Sequence, residues 1–277
     1  MTLAIGAYRN DGVNGVDSGH VRVYHWNGSI WHQLGADIDG EAAGDQSGYA
    51  VSLSGDGNTL GIGAPLNDGN GPDSGHVRVH HWDGSTWTQR GADIDGEAAG
   101  DRSGWSISLS DDGNTLAIGA PLNGGSISGH VRVYYWDGGT WAQRGADFDG
   151  EAIGDQSGRA VALSYDGSTL AIGAIFNGGN GFYSGHVRVH HWDGSTWTQR
   201  GSDIDGEAAG DRSGSSISLS DDGNTLAIAA RTNSGNGSQS GHVRIYFWNG
   251  SAWSQRGADI DGEAAGDRSG SSISLSY

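Results

Sequence analysis

The chain has 277 residues, 35% of them hydrophobic, with 52 glycines and no cysteine, which excludes disulfides and thiolate metal sites and argues against one thick core. Its formal charge of −18 arises from 28 Asp and 5 Glu against 15 Arg, with no lysine at all. Such a surface repels phosphate backbones and anionic lipid, so nucleic acid and membrane insertion drop out as expected partners, and a protein or glycan ligand is left. No cationic n-region opens the sequence and no run of 18 apolar residues crosses it. The chain therefore reads as a monomeric module cut from a larger protein, with any targeting signal outside this segment.

In chain order, the first element is the apolar segment Thr2–Ala7, TLAIGA, which returns at Thr59, Thr115, Thr169 and Thr225 with one substitution at most. A loop of variable sequence follows, and then the alternating stretch GHVRV or GHVRI from Gly19, Gly75, Gly129, Gly185 and Gly241. Its valines point one way and its His, Arg and aromatic residues the other, the period of a strand. An AsnGly, AspGly or GlyGly turn leads to a third segment such as Trp87–Arg90, and an acidic loop such as Ala92–Asp101 comes next. A short alternating segment, Ser106–Ser110 in the clearest copy, and the turn Asp111–Asn114 lead back to TLAIGA. Each of five repeats thus predicts four short antiparallel strands. The fold expected is all-β: a single five-bladed β-propeller over residues 1–277, its blades four-stranded and antiparallel. The chain starts on the second strand of a repeat and finishes on the first, so residues 272–277 are expected to pair with Thr2–Ala7 and complete the first blade. A linear array of repeats is the alternative.

The order of elements resembles an FG-GAP type repeat of integrin-α-like propellers. The resemblance rests on Gly100, Asp101, Ser103, Gly104 and Ser106–Leu109, then Leu116–Pro121, then Ser128–Val133, and covers the chain in five copies. It implies a propeller used in extracellular adhesion and ligand binding, and hence a module of a larger secreted or surface protein, extracellular or at the cell surface. Ser103 stands where that pattern has Phe, and GlyAlaPro is intact only at Gly63–Pro65 and Gly119–Pro121. The hairpin that carries the family's usual cation is here the plain turn Asp111–Asn114.

The acidic loops are the first candidate sites. Asp37, Asp39, Glu41 and Asp45 recur as Asp93, Asp95, Glu97 and Asp101; Asp147, Asp149, Glu151 and Asp155; Asp203, Asp205, Glu207 and Asp211; and Asp259, Asp261, Glu263 and Asp267. Oxygen ligands at this density suit Ca²⁺, the one cofactor the sequence points to. The competing reading is that they accept backbone N–H groups in turns or pair with the Arg22-type residue. Paired tryptophans, Trp26 and Trp31 through Trp248 and Trp253, either cover the outer strand or stack on sugars, and the latter gives a multivalent glycan-binding propeller as the alternative function. The doublets His80 and His81, and His190 and His191, point to opposite faces and cannot chelate one metal. Tyr8, Arg9, Phe176, Phe182, Tyr183 and Arg231, in the variable loops, are the side chains suited to contact a ligand. No GxSxG, Walker or HExxH motif is present and nearly every Ser, His and Asp recurs in all copies. On that ground no catalytic residue and no enzymatic activity are expected, and the chain is read as a binding or adhesion scaffold.

Overall fold

The structure, a computed structural model, describes residues 1–123 and 127–276. Part of the variable loop expected at Pro121–Ile127, and Tyr277, therefore lie outside the described residues. Among those described there is no α-helix, and the strands form five sheets. The first holds β1 (Thr2–Ala7), β2 (His20–Trp26), β3 (Trp31–Gln33) and β4 (Ile38–Asp39). The second holds β5 (Ala50–Leu53), β6 (Thr59–Ala64), β7 (His76–Trp82), β8 (Trp87–Gln89) and β9 (Ile94–Asp95). The same order gives β10 (Ser106–Leu109), β11 (Thr115–Ala120), β12 (His130–Trp136), β13 (Trp141–Gln143) and β14 (Phe148–Asp149). Next come β15 (Ser157–Leu163), β16 (Thr169–Ala174), β17 (His186–Trp192), β18 (Trp197–Gln199) and β19 (Ile204–Asp205). The fifth sheet holds β20 (Ser213–Leu219), β21 (Thr225–Ala230), β22 (His242–Trp248), β23 (Trp253–Gln255) and β24 (Ile260–Asp261). The repeated four-strand antiparallel path is the blade of a β-propeller, as the sequence predicts. The chain forms two compact units, Met1–Gly125 with Arg132–Ala146, and Ser126–Val131 with Asp147–Tyr277.

Each blade carries one element that the sequence reading does not contain. The acidic loop includes a two-residue strand: β9 pairs with the start of β7 (His76↔Asp95, Val77↔Ile94), while β8 pairs with its end (His80↔Gln89 to Trp82↔Trp87). The outer edge is thus one strand interrupted at Gly91, whose φ of +87° only glycine adopts without strain.

The core is thin and layered. In the first unit, Val77, Val79 and Ile94 of one sheet meet Leu116 and Ile118 of the next, and Val21, Val23 and Ile38 meet Leu60 and Ile62. In the second, Val187, Val189 and Ile204 meet Leu226 and Ile228. Each such side chain, fully buried, contributes roughly 1.5–3 kcal/mol. Every turn between the first two strands of a repeat is locked in the same way. Asp112 accepts from the Ser110 hydroxyl (2.6 Å) and the Asn114 N–H (2.9 Å), and the Ser110 oxygen accepts the Thr115 N–H (2.9 Å).

A clamp of tryptophans joins successive sheets. Trp141 Nε1–H donates to the Arg90 carbonyl (2.8 Å), and a Cβ on Gly91 would stand 2.9 Å from the ring of Trp136 and 3.0 Å from that of Trp141. The Arg90 guanidinium lies over both rings, 4.7 and 5.6 Å from their centroids, and donates to the Gly113 carbonyl and Asn114 Oδ1, both at 2.7 Å. Arg200 does the same with Trp248 and Trp253 in the second unit.

The expected closing pair is absent. Among the described residues, β1 has β2 as its sole strand partner, and residues 272–276 are not in a ladder. Their amides turn instead to the preceding sheet, where Ile273 and Leu275 donate to the hydroxyls of Ser216 (3.2 Å) and Ser218 (3.0 Å).

Candidate functional site

The acidic loops do not gather their own carboxylates. The ninth position of the loop, counted from the Asp37-type residue, is spent on structure. Asp45, Asp101, Asp155 and Asp211 are buried, and each caps its own loop through the N–H of Ala42, Ala98, Ala152 or Ala208 while accepting from an asparagine of the next repeat, Asn67, Asn123, Asn177 or Asn233 (2.8–3.1 Å). Asp267 makes only the first of these bonds and is exposed. At the first position, Asp93, Asp203 and Asp259 accept a glutamine amide at 2.6–2.7 Å. Asp37 accepts both Gln33 and the fork of Arg22, and these hydrogen bonds, Arg22 foremost, hold its carboxyl below the usual range. Asp147 lies 3.8 Å from His130 Nδ1. The third-position residues Asp39, Asp95, Asp149 and Asp205 offer their backbone carbonyls to Arg78, Arg132, Arg188 and Arg244 (2.6–2.7 Å), and among the described residues no arginine donates to the carbonyl of Asp261.

The fifth-position glutamates reach forward to a histidine. Glu41 with His76 and Asp93, Glu151 with His186 and Asp203, and Glu207 with His242 and Asp259 form trios whose ligand atoms lie within 4.8 Å of one another. Burial is the largest cause lowering the pKa of His76 and His186, so these imidazoles are neutral near pH 7. Arg78 stands 3.5 Å from Glu41 and already supplies positive charge there, and Arg132, Arg188 and Arg244 face Glu97, Glu151 and Glu207 at 3.8–4.0 Å. Glu263 is exposed, its carbonyl accepting from Asn236.

The variable loops give a different result. A cleft of about 440 Å³ in the second unit is lined by Tyr183, Arg212, Arg231, Ser234, Gln239 and Arg268 among others. Its walls are fixed: Asn233 bonds to Asp211, Asn236 to the Gly262 carbonyl, Thr232 to the Gly210 carbonyl and the Gln239 N–H to Ser234. Within these walls the three arginines are free of acids. Arg268 donates to the neutral Gln239 Oε1 (3.0 and 3.2 Å), Arg212 lies over the Phe176 ring at 5.2 Å, and among the described residues none of the three has a carboxylate in ion-pairing range. Arg231 is singular, since the other repeats carry Tyr8, Pro65, Pro121 and Ile175 there.

Of the six loop residues singled out in the sequence, Tyr183 and Arg231 line this cleft. Phe182 stacks on Tyr183 (3.7 Å) and Phe176 packs beside it (4.6 Å). Tyr8 and Arg9 belong to the first unit, where Tyr8 contacts Tyr49 (5.3 Å) and Arg9 lies over Tyr8. Arg212 and Arg268 were missed because they sit in the repeated AspArgSerGly, which reads as scaffold; their equivalents Gln46 and Gln156 were the available signal. The tryptophan pairs are mostly consumed by packing, while Trp26 and Trp31 are 36% and 40% exposed.

Comparison with known proteins agrees with the fold. Residues 37–79 match the FG-GAP repeat family. No curated protein sequence matches the chain. Among solved structures, the periplasmic gluconolactonase PpgL of Pseudomonas aeruginosa is 16% identical with a TM-score of 0.59, over 94% of this chain and 68% of that one. A Bacteroides uniformis protein provisionally named a 6-phosphogluconolactonase is 14% identical, TM-score 0.56, over 87% and 65%. TolB from Acinetobacter baumannii is 15% identical, TM-score 0.51, over 88% and 49%. The chain thus spans about half to two thirds of the length of these structures.

One expectation is corrected by these names. The absence of hydrolase motifs and the recurrence of Ser, His and Asp in every copy predict no enzymatic activity, yet structures of this fold bear the names of lactonases. Motifs such as GxSxG belong to other scaffolds, and their absence carries no weight on this one.

Proposed function

We propose that this chain is a ligand-binding module whose repeated scaffold holds one asymmetric cleft for an anionic, hydroxyl-bearing ligand of the sugar-acid or sugar-phosphate class. The observation that carries this is the meeting of Arg212, Arg231 and Arg268 without acidic partners, in a chain of net charge −18. A guanidinium fork matches a carboxylate or phosphate in two parallel hydrogen bonds. Thr232, Ser234 and Ser238 in the same wall supply hydroxyls for a polyol, and Tyr183 supplies a ring edge or face. In an adhesion setting the same chemistry meets the acidic sugars of a glycan, which joins this cleft to the extracellular role expected from the resemblance.

The neighbours named for 6-phosphogluconolactone make 6-phosphogluconate the first probe, with gluconate and neutral glucose beside it. Calorimetric titration should show saturable binding of the two acids, weakened by added salt, and none of glucose. Arg231→Ile, which installs the residue of the fourth repeat, should lower affinity by about tenfold or more. Equal affinity in this variant, or no binding of either acid, would remove the reading.

A further inference from the structure

His76, His186 and His242 open β7, β17 and β22, where strand pairing on both sides fixes their backbone, and each is only 1–2% exposed. Among the described residues none of these three imidazoles makes a hydrogen bond. Each aims its Nδ1 at two carboxylates. One is the glutamate of the preceding acidic loop, Glu41, Glu151 or Glu207, and the other is the first aspartate of the following loop, Asp93, Asp203 or Asp259. The separations are 3.7–4.0 Å, too long for a hydrogen bond.

Both carboxylates are oriented from outside the trio. Asp93 accepts the Gln89 amide on Oδ1 (2.6 Å) and turns Oδ2 to His76; Asp203 does the same with Gln199 (2.6 Å) and Asp259 with Gln255 (2.7 Å). The glutamates turn Oε1 to Arg78, Arg188 or Arg244 (3.5–3.8 Å) and Oε2 to the histidine. One nitrogen and two oxygens, none of them hydrogen-bonded among the described residues, thus converge in the same way once in the first unit and twice in the second.

We propose that each of these trios is a site for a divalent transition-metal ion of the zinc type. Zn²⁺ binds imidazole nitrogen and carboxylate oxygen at about 2.0–2.2 Å, so two of its ligands stand at most about 4.4 Å apart, and every Nδ1-to-oxygen span here falls inside that limit. The carboxylate side chains are partly exposed and close the remaining gap by small rotations, and water completes the open side. The glutamine and arginine partners act as the outer-shell groups that hold metal ligands in orientation. Ca²⁺ and Mg²⁺ take oxygen ligands and gain little from a buried imidazole, so the ion differs from the one the loop spacing suggests. The arginine beside each glutamate opposes the ion's charge and keeps the affinity below that of a closed structural site. None of these ligands lines the arginine cleft, so the two kinds of site are read separately.

The test is calorimetric titration of the chelator-treated chain with Zn²⁺, Ca²⁺ and Mg²⁺, with thermal melting beside it. Zn²⁺ should bind saturably and raise the melting temperature, because an ion held by the folded state alone stabilises it, while Ca²⁺ and Mg²⁺ should bind at least about tenfold more weakly. The triple variant Asp93→Asn, Asp203→Asn, Asp259→Asn keeps an acceptor for each glutamine and removes one ligand charge from every trio; it should weaken Zn²⁺ binding by more than about tenfold. Glu41→Gln, Glu151→Gln and Glu207→Gln, made together, remove the other carboxylate and should do the same, so a folding defect in one set leaves the other to decide. With Co²⁺ as a spectroscopic probe, the parent should develop visible absorption bands that both sets lose. No Zn²⁺ binding by the parent, equal affinity for Ca²⁺, or Zn²⁺ binding that survives both sets of substitutions would overturn the proposal.

Discussion

The tryptophan clamp and the arginine cleft use the same residue types in opposite conditions. Arg90 and Arg200 are stacked on two indoles and have donors satisfied by a carbonyl and an asparagine. Arg212 and Arg231 lie within a formed cleft without an acidic partner. The clamp recurs because it holds sheets together, and the cleft occurs where the repeats depart from one another. What separates a structural arginine from a binding one here is the state of its donors, since both sit beside aromatic rings.

That contrast can be broken or sharpened by experiment. The largest effect should come from the clamp: Trp141→Ala removes a ring packed on Gly91 and Arg90, leaves the Arg90 carbonyl short of a donor, and should cost about 3–5 kcal/mol in denaturant unfolding. Affinity at the cleft should be unchanged wherever the variant remains folded.

Acid should act on the buried strands and leave the cleft's charge alone. Burial, with the nearby charges of Arg78 and Arg188, lowers the pKa of His80 and His190 to about 4. The unfolded chain takes up protons below the ordinary histidine range that the folded chain refuses, so stability is complete above about pH 6.5 and declines as pH falls toward 4. The decline should be on the order of 3 kcal/mol for each histidine, read as a fall in denaturation midpoint between pH 7 and pH 4.5. His190→Phe should flatten part of that slope; an unchanged slope would show that His190 titrates normally.

The smallest effect is the most telling. Arg231→Ile should leave folding stability within about 0.5 kcal/mol of the parent, because the guanidinium holds nothing in place. A substantial loss of stability would move Arg231 to the clamp's side of the comparison.

The period, the four strands and the turns were legible because each leaves a local mark: alternation in His130–Trp136, the locked Asp111–Asn114 turn, glycine where φ is positive. The two-residue strands such as Ile94–Asp95 were not, being too short to alternate. The acidic loop misled for a related reason. Spacing along the chain put Asp37, Asp39, Glu41 and Asp45 together, whereas the strand at Ile38–Asp39 turns successive side chains to opposite sides and sends Glu41 and Asp45 to residues of the following repeat. Loop variability correctly marked Tyr183 and Arg231, and could not show Arg212 and Arg268, which look like scaffold in every copy that carries them.

The strap from Asp45 to Asn67 spans 22 residues and reappears from Asp101, Asp155 and Asp211 at the same interval. Each period therefore carries a socket at one end and a plug at the other, identical from copy to copy. A gene built this way can gain or lose a complete period and leave every remaining fitting matched, while a deletion of half a period strands one. Unequal recombination between near-identical copies is then mechanically safe, and chains of differing repeat number are what such a lineage should produce.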